Sequence, residues 1–407
     1  MLVALVGGEL VDGGSRQPGT CVVVDGERIR AVGRSPSGAR IVLDATGCVI
    51  LPGFIDLHTH GGGGYALHTR EPEELLAYAR WVTRTGTTAF LATLVGAPDG
   101  FPERQLAAAA EALAIPVHGA QLLGVYLEGP FLNPARRGAH HPSWIRGPDP
   151  LLAERLLATA RGTLRVVTVA PELPGARAVM ERFVRAGVTV ALGHTDATYE
   201  QASDALRRGA RLLTHCFNAM PPLLHRAPGP LGALIERDDA VGELIADGHH
   251  VLPPVMRFLI RALGPQRIAV VTDAQPGAGA PLGTTFDFAG RPARVADGLA
   301  RLDDGTIAGS VLTMDGALRT LIERVGVSLE DAAAMLSTTP ARILGLGQRK
   351  GRILPGYDAD LVLLDRAFQV QATLCRGRLA YANAEWLQRQ DPRSRAMLER
   401  ALEDAMP

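Results

Sequence analysis

Two histidines, His58 and His60, stand two residues apart at the end of a short apolar run. Side chains at i and i+2 of a strand project to one side, so both imidazoles can reach the same point. Comparable runs end in or lead to Glu128, His194 and His215, then to Asp247 with His249 and His250, and last to Asp273. Imidazoles and carboxylates without a thiol among them suit a divalent cation, Zn²⁺ first and Fe²⁺ second. A set without sulfur also fits a catalytic centre, which keeps one position open for water, better than a closed structural site. Asp273 beside such a cation could act as general base on a water whose pKa the metal brings to about 7. Singly these residues have plainer readings. A histidine at a strand end is ordinarily a hydrogen-bonded structural residue, Asp273 could cap a helix, and Glu128 could pair with an arginine. The joint pattern argues against them, because the whole set falls at the C-terminal ends of successive apolar runs.

Those runs therefore have to be strands of one assembly. They cover residues 54–60, 87–94, 122–128, 165–171, 188–194, 212–217, 243–247 and 268–273. Amphipathic helical patterns lie between several of them, at 72–85, 105–113, 176–186 and 199–208. Eight β-α units in about 250 residues predict an α/β fold, a (β/α)8 TIM barrel whose C-terminal rim carries the chemistry. An open, doubly wound eight-stranded sheet is the alternative. Residues 1–51 read instead as short strands with tight turns, such as the hairpin signal Asp25-Gly26. Two further strand patterns, at 351–365 and 372–380, resemble them. The expected organisation is a small β-sandwich domain from residues 1–51 plus 346–383, a barrel over 52–345, and a polar helical tail over 384–407.

Composition narrows the function classes. The 407 residues carry 42 Lys+Arg and 42 Asp+Glu, so zero net charge gives no electrostatic reason to bind nucleic acid or a membrane surface. An anionic ligand must then be met by a local cluster. Four scattered cysteines, Cys21, Cys48, Cys216 and Cys375, form no C-x-x-C pair and suit a reducing cytoplasm. The N-terminal apolar run lacks a basic flank and is too short for a secretion signal, and no stretch reaches the roughly 20 apolar residues of a membrane span.

The segment Pro52-Gly-Phe-Ile-Asp-Leu-His-Thr-His60, with Val271-Thr-Asp273, resembles the amidohydrolase superfamily at its first and eighth strands. Members that bridge two metals with a carboxylated lysine are excluded, because the single lysine, Lys350, lies outside the barrel. A glutamate from strand three must take that place. Further blocks narrow the resemblance: Leu127-Glu-Gly-Pro-Phe-Leu-Asn-Pro134, Gly138-Ala-His140, Thr214-His-Cys-Phe-Asn-Ala-Met220, His225-Arg-Ala-Pro-Gly229, Ile245-Ala-Asp-Gly-His-His250 and Ala308-Gly-Ser310. Together they resemble the N-acetylglucosamine-6-phosphate deacetylases from Pro52 to about Asp365.

The resemblance implies that Glu128, His194 and His215 bind the principal metal and that Asp273 is the general acid/base. It also implies substrate contacts from Ala139, His140, Asn218, Ala219, His249, His250, Ile307, Ala308 and Gly309. Arg226 matches the family's phosphate-binding arginine, which in a homodimer reaches the neighbouring subunit's site. Because His58 and His60 are both kept, a second metal bridged by Glu128 is expected, against the alternative that these two rings only hydrogen-bond near the first. The implied substrate is a small phosphorylated amino sugar. An epimeric or unphosphorylated N-acyl sugar, or a metal-free scaffold role, are the competing readings. Gly61–Gly64 reads as a flexible loop passing near the metal, or else as a backbone cradle for phosphate. His68, His118 and His141 read as surface or packing residues.

Overall fold

The computed structural model describes residues 2–36, 38–98, 101–288 and 290–403. Eight parallel strands run in chain order round one sheet: Phe54–Thr59, Thr87–Leu94, Gln121–Glu128, Leu164–Val169, Thr189–Leu192, Leu212–Leu213, Val241–Ile245 and Ile268–Val271. Helices such as Pro72–Trp81, Glu103–Ala114, Ala176–Arg185 and Tyr199–Arg207 connect them. The closed barrel is therefore the fold. Ile55, Leu57, Leu91, Val166, Val241 and Val271 form one apolar cluster inside it, and a larger one packs the outer strand faces against the helices.

The seam between strands eight and one is closed unusually. The Asp273 N–H donates to the His58 carbonyl at 2.8 Å. Beside it, the Asp56 carboxylate accepts from the Thr272 hydroxyl at 2.6 Å and from the Thr272 N–H at 3.2 Å. Burial pushes the Asp56 carboxyl up to about 7, against the pull of these donors. Strand one also carries an extra residue between Asp56 and Thr59 relative to its neighbour. That bulge lets two sequence neighbours face the axis together: Leu57 joins the inner cluster, and the His58 ring stacks 4.5 Å from Tyr126 of the same cluster.

The chain ends build a second sheet. Its order is Arg378–Ala382, Val370–Cys375, Leu361–Leu364, Val49–Pro52, Leu2–Asp12, Ser15–Asp25 and Arg28–Gly33, with Ile41–Asp44 also paired to Leu2–Asp12. The strands are joined in one hydrogen-bonded path round a single core that includes Leu5, Val24, Ile50, Leu363 and the fully buried Trp386. Trp386 lies in the helix Ala384–Arg389, which Pro392–Glu403 follows. The last four residues of the expected helical tail lie outside the described residues.

One element is absent from the sequence reading. After strand eight, Thr285–Phe288, Arg291–Ala296, Leu299–Leu302 and Ile307–Ser310 form a four-stranded antiparallel sheet. Its last strand docks on the rim, where the Ser310 N–H donates to the Asp273 carbonyl at 2.8 Å and the Gln275 N–H to the Ser310 carbonyl at 3.0 Å. The short strands and high polarity of this segment disguised it.

Lys350 finds its use here. It is 2% exposed and lies 2.6 Å from Asp360 and 3.0 Å from Asp358. Arg28, from the N-terminal strands, holds Asp358 at 2.7 Å, so the cluster ties both chain ends together. Removing one partner of a buried ion pair leaves a stranded charge and costs ~3–5 kcal/mol. Urea unfolding of Lys350→Met should show a loss of that order; a loss under ~1 kcal/mol would mean that the cluster is not structural.

Candidate active site

The ends of strands one, three, five, six and eight deliver polar residues to a common floor, His58 and His60 coming from strand one. Glu128 is the last residue of strand three, and His194, His215 and Asp273 each lie two residues beyond strands five, six and eight. The run at 212–217 is thus a strand only over Leu212–Leu213, and His215 sits in the turn that follows. His194, His215 and Asp273 all adopt positive φ, at 47°, 26° and 47°. For residues with a Cβ that conformation costs of order 1 kcal/mol or more, and it survives only where surrounding bonds fix it. At Asp273 the bonds from Asp273 N–H to His58 and from Ser310 N–H to the Asp273 carbonyl supply that constraint.

Two donor sets face each other across Glu128. In one, Glu128 Oε1 lies 3.0 Å from His194 Nε2 and 3.1 Å from His215 Nε2. In the other, His60 Nε2 lies 3.1 Å from Asp273 Oδ1, with His58 Nε2 at 3.7 Å. Glu128 reaches this second set as well, through Oε2 to His60 at 3.3 Å and Oε1 to His58 at 3.5 Å. All these residues are buried, Glu128 being only 4% exposed.

The proton positions follow from the outer ring nitrogens. His194 Nδ1 lies 2.8 Å from the Arg136 carbonyl, which can only accept, so Nδ1 carries the proton and Nε2 a lone pair. His58 Nδ1 lies 2.9 Å from Glu243 Oε2 and its buried Nε2 has no hydrogen-bond partner; burial opposes a charged ring, but Glu128 and Glu243 outweigh it and raise the His58 pKa, so this nitrogen calls for a cation, proton or metal. Lone pairs pointed at carboxylate oxygens repel unless a cation lies between them. The two sets, His58–His60–Asp273 and Glu128–His194–His215, each bring their donor atoms within 4.8 Å of one another. Their nitrogen and oxygen chemistry fits a divalent metal.

The field of the site favours its anions. Burial would raise the Glu128 carboxyl, yet the facing His58 and His140 hold it well below the usual carboxylate range. Burial likewise opposes ionisation of Asp273, and the hydrogen bond from His60 outweighs it, so this pKa is lowered. At His140 burial wins and keeps the ring toward its neutral form.

Above the floor lies a cavity of about 180 Å³. His140, Ala139, Asn218, Ala219, His250, Ile307, Ala308 and Gly309 line it, as the sequence reading expects, together with Phe288 and Gln275. Those last two could not be anticipated, since the four-stranded sheet and the loop after strand eight bring them. His250 Nδ1 donates to Asp247 Oδ2 at 2.6 Å, which leaves Nε2 for the cavity. Burial disfavours the charged ring, but Asp247 overcomes it and raises the His250 pKa.

Two expected contacts are not made within the chain. His249 is exposed and absent from the cavity wall, because its N–H is drawn to Asp247 Oδ1 and its ring lies against Gly298. Arg226 stands on an exposed loop, with Nη1 2.8 Å from His225 Nε2, and does not reach this chain's cavity. Gly61–Gly64 is neither a free loop nor a phosphate cradle. It forms a short hairpin over Trp81, and the Gly63 and Gly64 N–H groups are already given to the Ala278 and Pro276 carbonyls. His68 is a packing residue as expected: it accepts from the Val95 N–H, and burial pushes its pKa down to about 3.

Glu243 is the residue that sequence reasoning missed. It is fully buried in strand seven, and its Oε2 accepts from both the His58 ring and the His215 N–H, at 2.9 and 3.2 Å. One carboxylate therefore orients a residue of each donor set. The signal available was a charged residue inside a barrel strand, which needs a partner.

The fold and site together define a metal-dependent hydrolase on a (β/α)8 barrel, and the chain belongs to the amidohydrolase family, whose profile matches residues 49–380. It is 37% identical over 340 residues to the N-acetylglucosamine-6-phosphate deacetylase of Bacillus subtilis, covering 83% of this chain and 86% of that protein. It is 38% identical over 332 residues to the N-acetylgalactosamine-6-phosphate deacetylase of Escherichia coli O157:H7, covering 82% and 88%. Among solved structures, an N-acetyl-D-glucosamine-6-phosphate deacetylase from Mycobacterium smegmatis superposes with a TM-score of 0.86 at 34% identity, covering 94% of this chain and all of that one.

Ligand-orienting carboxylates are worth about 10–100-fold in metal affinity. Chelator competition on Glu243→Ala should therefore show metal held at least tenfold more weakly, with the fold retained by circular dichroism. Unchanged affinity would remove Glu243 from the account.

Proposed function

We propose that this protein hydrolyses the acetamide of N-acetyl-D-glucosamine 6-phosphate to D-glucosamine 6-phosphate and acetate. The observation that carries the reading is Asp273, a buried carboxylate that belongs to one of two adjoining metal donor sets on the floor of a recess of about 180 Å³. Relatives of matching length that are named for this activity support the choice of substrate.

In this reading Glu128, His194 and His215 would hold one divalent metal, Zn²⁺ by preference, and His58, His60 and Asp273 would hold a second, with Glu128 within reach of both sets. A bound divalent cation supplies acidification of water and polarisation of a carbonyl oxygen. The remaining chemistry belongs to the side chains. Asp273 faces the ring nitrogens of His58 and His60 through Oδ1, which leaves Oδ2 to take the proton from the attacking water. As the carbonyl carbon gains that oxygen and the C–N bond breaks, Asp273 returns the proton to the departing sugar nitrogen. Asn218 donates from Nδ2 to the His215 and Cys216 carbonyls, so its Oδ1 is left to accept from a substrate hydroxyl or amide. His140 and His250 offer ring nitrogens across the same space.

The cavity is smaller than the usual ~300–1,000 Å³ ligand site, so part of the substrate projects from its mouth. Among the described residues no arginine lines it. His250, whose Nε2 faces the cavity and whose charged form Asp247 favours against burial, offers one partner for phosphate. Arg226, exposed on its loop, suits the second role from a neighbouring copy in a homodimer, where a guanidinium fork matches phosphate oxygens. Four buried free cysteines favour the cytoplasm, and among the described residues no helix is long and apolar enough to cross a membrane.

Acetate release should be measured from N-acetylglucosamine 6-phosphate, its galactosamine epimer and unphosphorylated N-acetylglucosamine. The phosphorylated glucosamine derivative should be turned over fastest, and chelation should stop the reaction until metal is returned. Asp273→Asn should lower kcat by at least ~10²-fold with one metal still bound. Faster release from either comparison sugar would overturn the proposed substrate, and a fully active Asp273→Asn the proposed base.

A further inference from the structure

A second and larger cavity, about 640 Å³, lies away from the chemistry. Its walls are the turn Arg376–Gly377 of the small sheet, the helix Pro392–Glu403 and residues 116–118, which lead into barrel strand three. That strand runs from Gln121 to Glu128, so the cavity and the catalytic floor lie at opposite ends of it, roughly 23 Å apart at a strand rise of ~3.3 Å per residue.

The lining has two characters. Val3, Leu43, Val117, Leu379, Met397 and Leu398 supply an apolar surface. Among the described residues, Arg80, Arg376 and Arg378 supply three guanidinium groups and His118 an imidazole, against a single carboxylate, Glu27. Glu27 does not neutralise them: its nearest approach is 3.8 Å to Arg376 Nη1, too long for a hydrogen bond, and it is half exposed. Among the described residues neither Arg80 nor Arg378 makes an ion pair. Arg376 Nε is buried and has no hydrogen-bond partner, an omission that costs free energy unless something fills it. The backbone there is fixed, since the Arg376 N–H donates to Asp360 Oδ1 at 2.8 Å and the Gly377 N–H to the Ala359 carbonyl at 2.8 Å. An adjoining cavity of about 270 Å³ shares Pro116, Val117 and Arg376 and contains the buried, unpartnered Gln121 Oε1.

We propose that this cavity is a second ligand site, built for a small amphipathic organic anion. Its apolar body lies along Val117, Leu379 and Met397, and its acidic head sits among Arg80, Arg376 and Arg378. The volume falls in the range of small-molecule sites, and mostly apolar walls that carry a few charged groups are the usual composition of such sites. An uncompensated arginine cluster selects against neutral molecules of the same shape. The site is independent of the deacetylase reading, because it shares no residue with the catalytic cavity.

Calorimetric titration of the metal-loaded, full-length protein with octanoate, and separately with 1-octanol, tests the proposal. Octanoate should bind once per chain and the alcohol at least about tenfold more weakly. Arg378→Gln, an exposed position that folding tolerates, should weaken octanoate about tenfold, as should Arg376→Gln if that variant folds. Glu27→Gln should tighten binding, since it removes the one opposing charge among the described lining residues. Absence of octanoate binding, equal binding of the alcohol, or indifference to both Arg378→Gln and Glu27→Gln would overturn the proposal. So would octanoate behaving as a competitive inhibitor of acetate release, which would place it in the catalytic cavity instead.

Discussion

A carboxylate buried in a barrel needs positive charge around it, and Glu128 sets that demand for the whole site. Its two oxygens lie within 3.5 Å of ring nitrogens of His58, His60, His140, His194 and His215. Five imidazoles from separate parts of the chain are therefore held against one side chain. Where the outer nitrogens are engaged, their inner lone pairs turn toward Glu128, and only a cation makes such an arrangement favourable. The metal requirement is thus a consequence of electrostatics in a closed barrel as much as of any motif.

The supporting structure follows from keeping those rings in place. The bulge in strand one turns His58 inward beside Leu57. Glu243 anchors His58 and the His215 backbone together. Left-handed backbone at His194, His215 and Asp273 aims side chains that a regular strand would point elsewhere. The four-stranded sheet then bonds to the Asp273 carbonyl and closes the recess with Phe288 and Ile307–Gly309. These bonds fix the rim, where the chemistry needs precision, and the buried ion-pair cluster at Lys350 joins both chain ends at the other end of the barrel, where the Asp360 carbonyl accepts from the Gly53 N–H just before strand one.

Much of this was legible in the sequence, for physical reasons. Barrel strands are short apolar runs, and a polar residue closing such a run is conspicuous, so His58, His60, Glu128, His194, His215 and Asp273 could be chosen residue by residue. Helix periodicity gave Ala176–Arg185 and Tyr199–Arg207 nearly to their ends. What escaped depends on contacts distant in sequence. Glu243 looks like an isolated charge until folding brings it to His58, 185 residues away. Phe288 and Gln275 carry no local signal and owe their place to the sheet of short strands and to the loop after strand eight. Arg226 marks a complementary limit: its loop is recognisable, yet one chain gives it no cavity to enter.

Counting and locating the bound metal tests the account most directly. Crystals of the metal-loaded protein should show two anomalous peaks per chain at the zinc edge, one among Glu128, His194 and His215 and one among His58, His60 and Asp273, with the Glu128 carboxylate touching both. A single peak at the first set, with His58 and His60 bonded only to Glu243, Glu128 or Asp273, would contradict the shared-carboxylate centre. It would leave those two rings a supporting role alone.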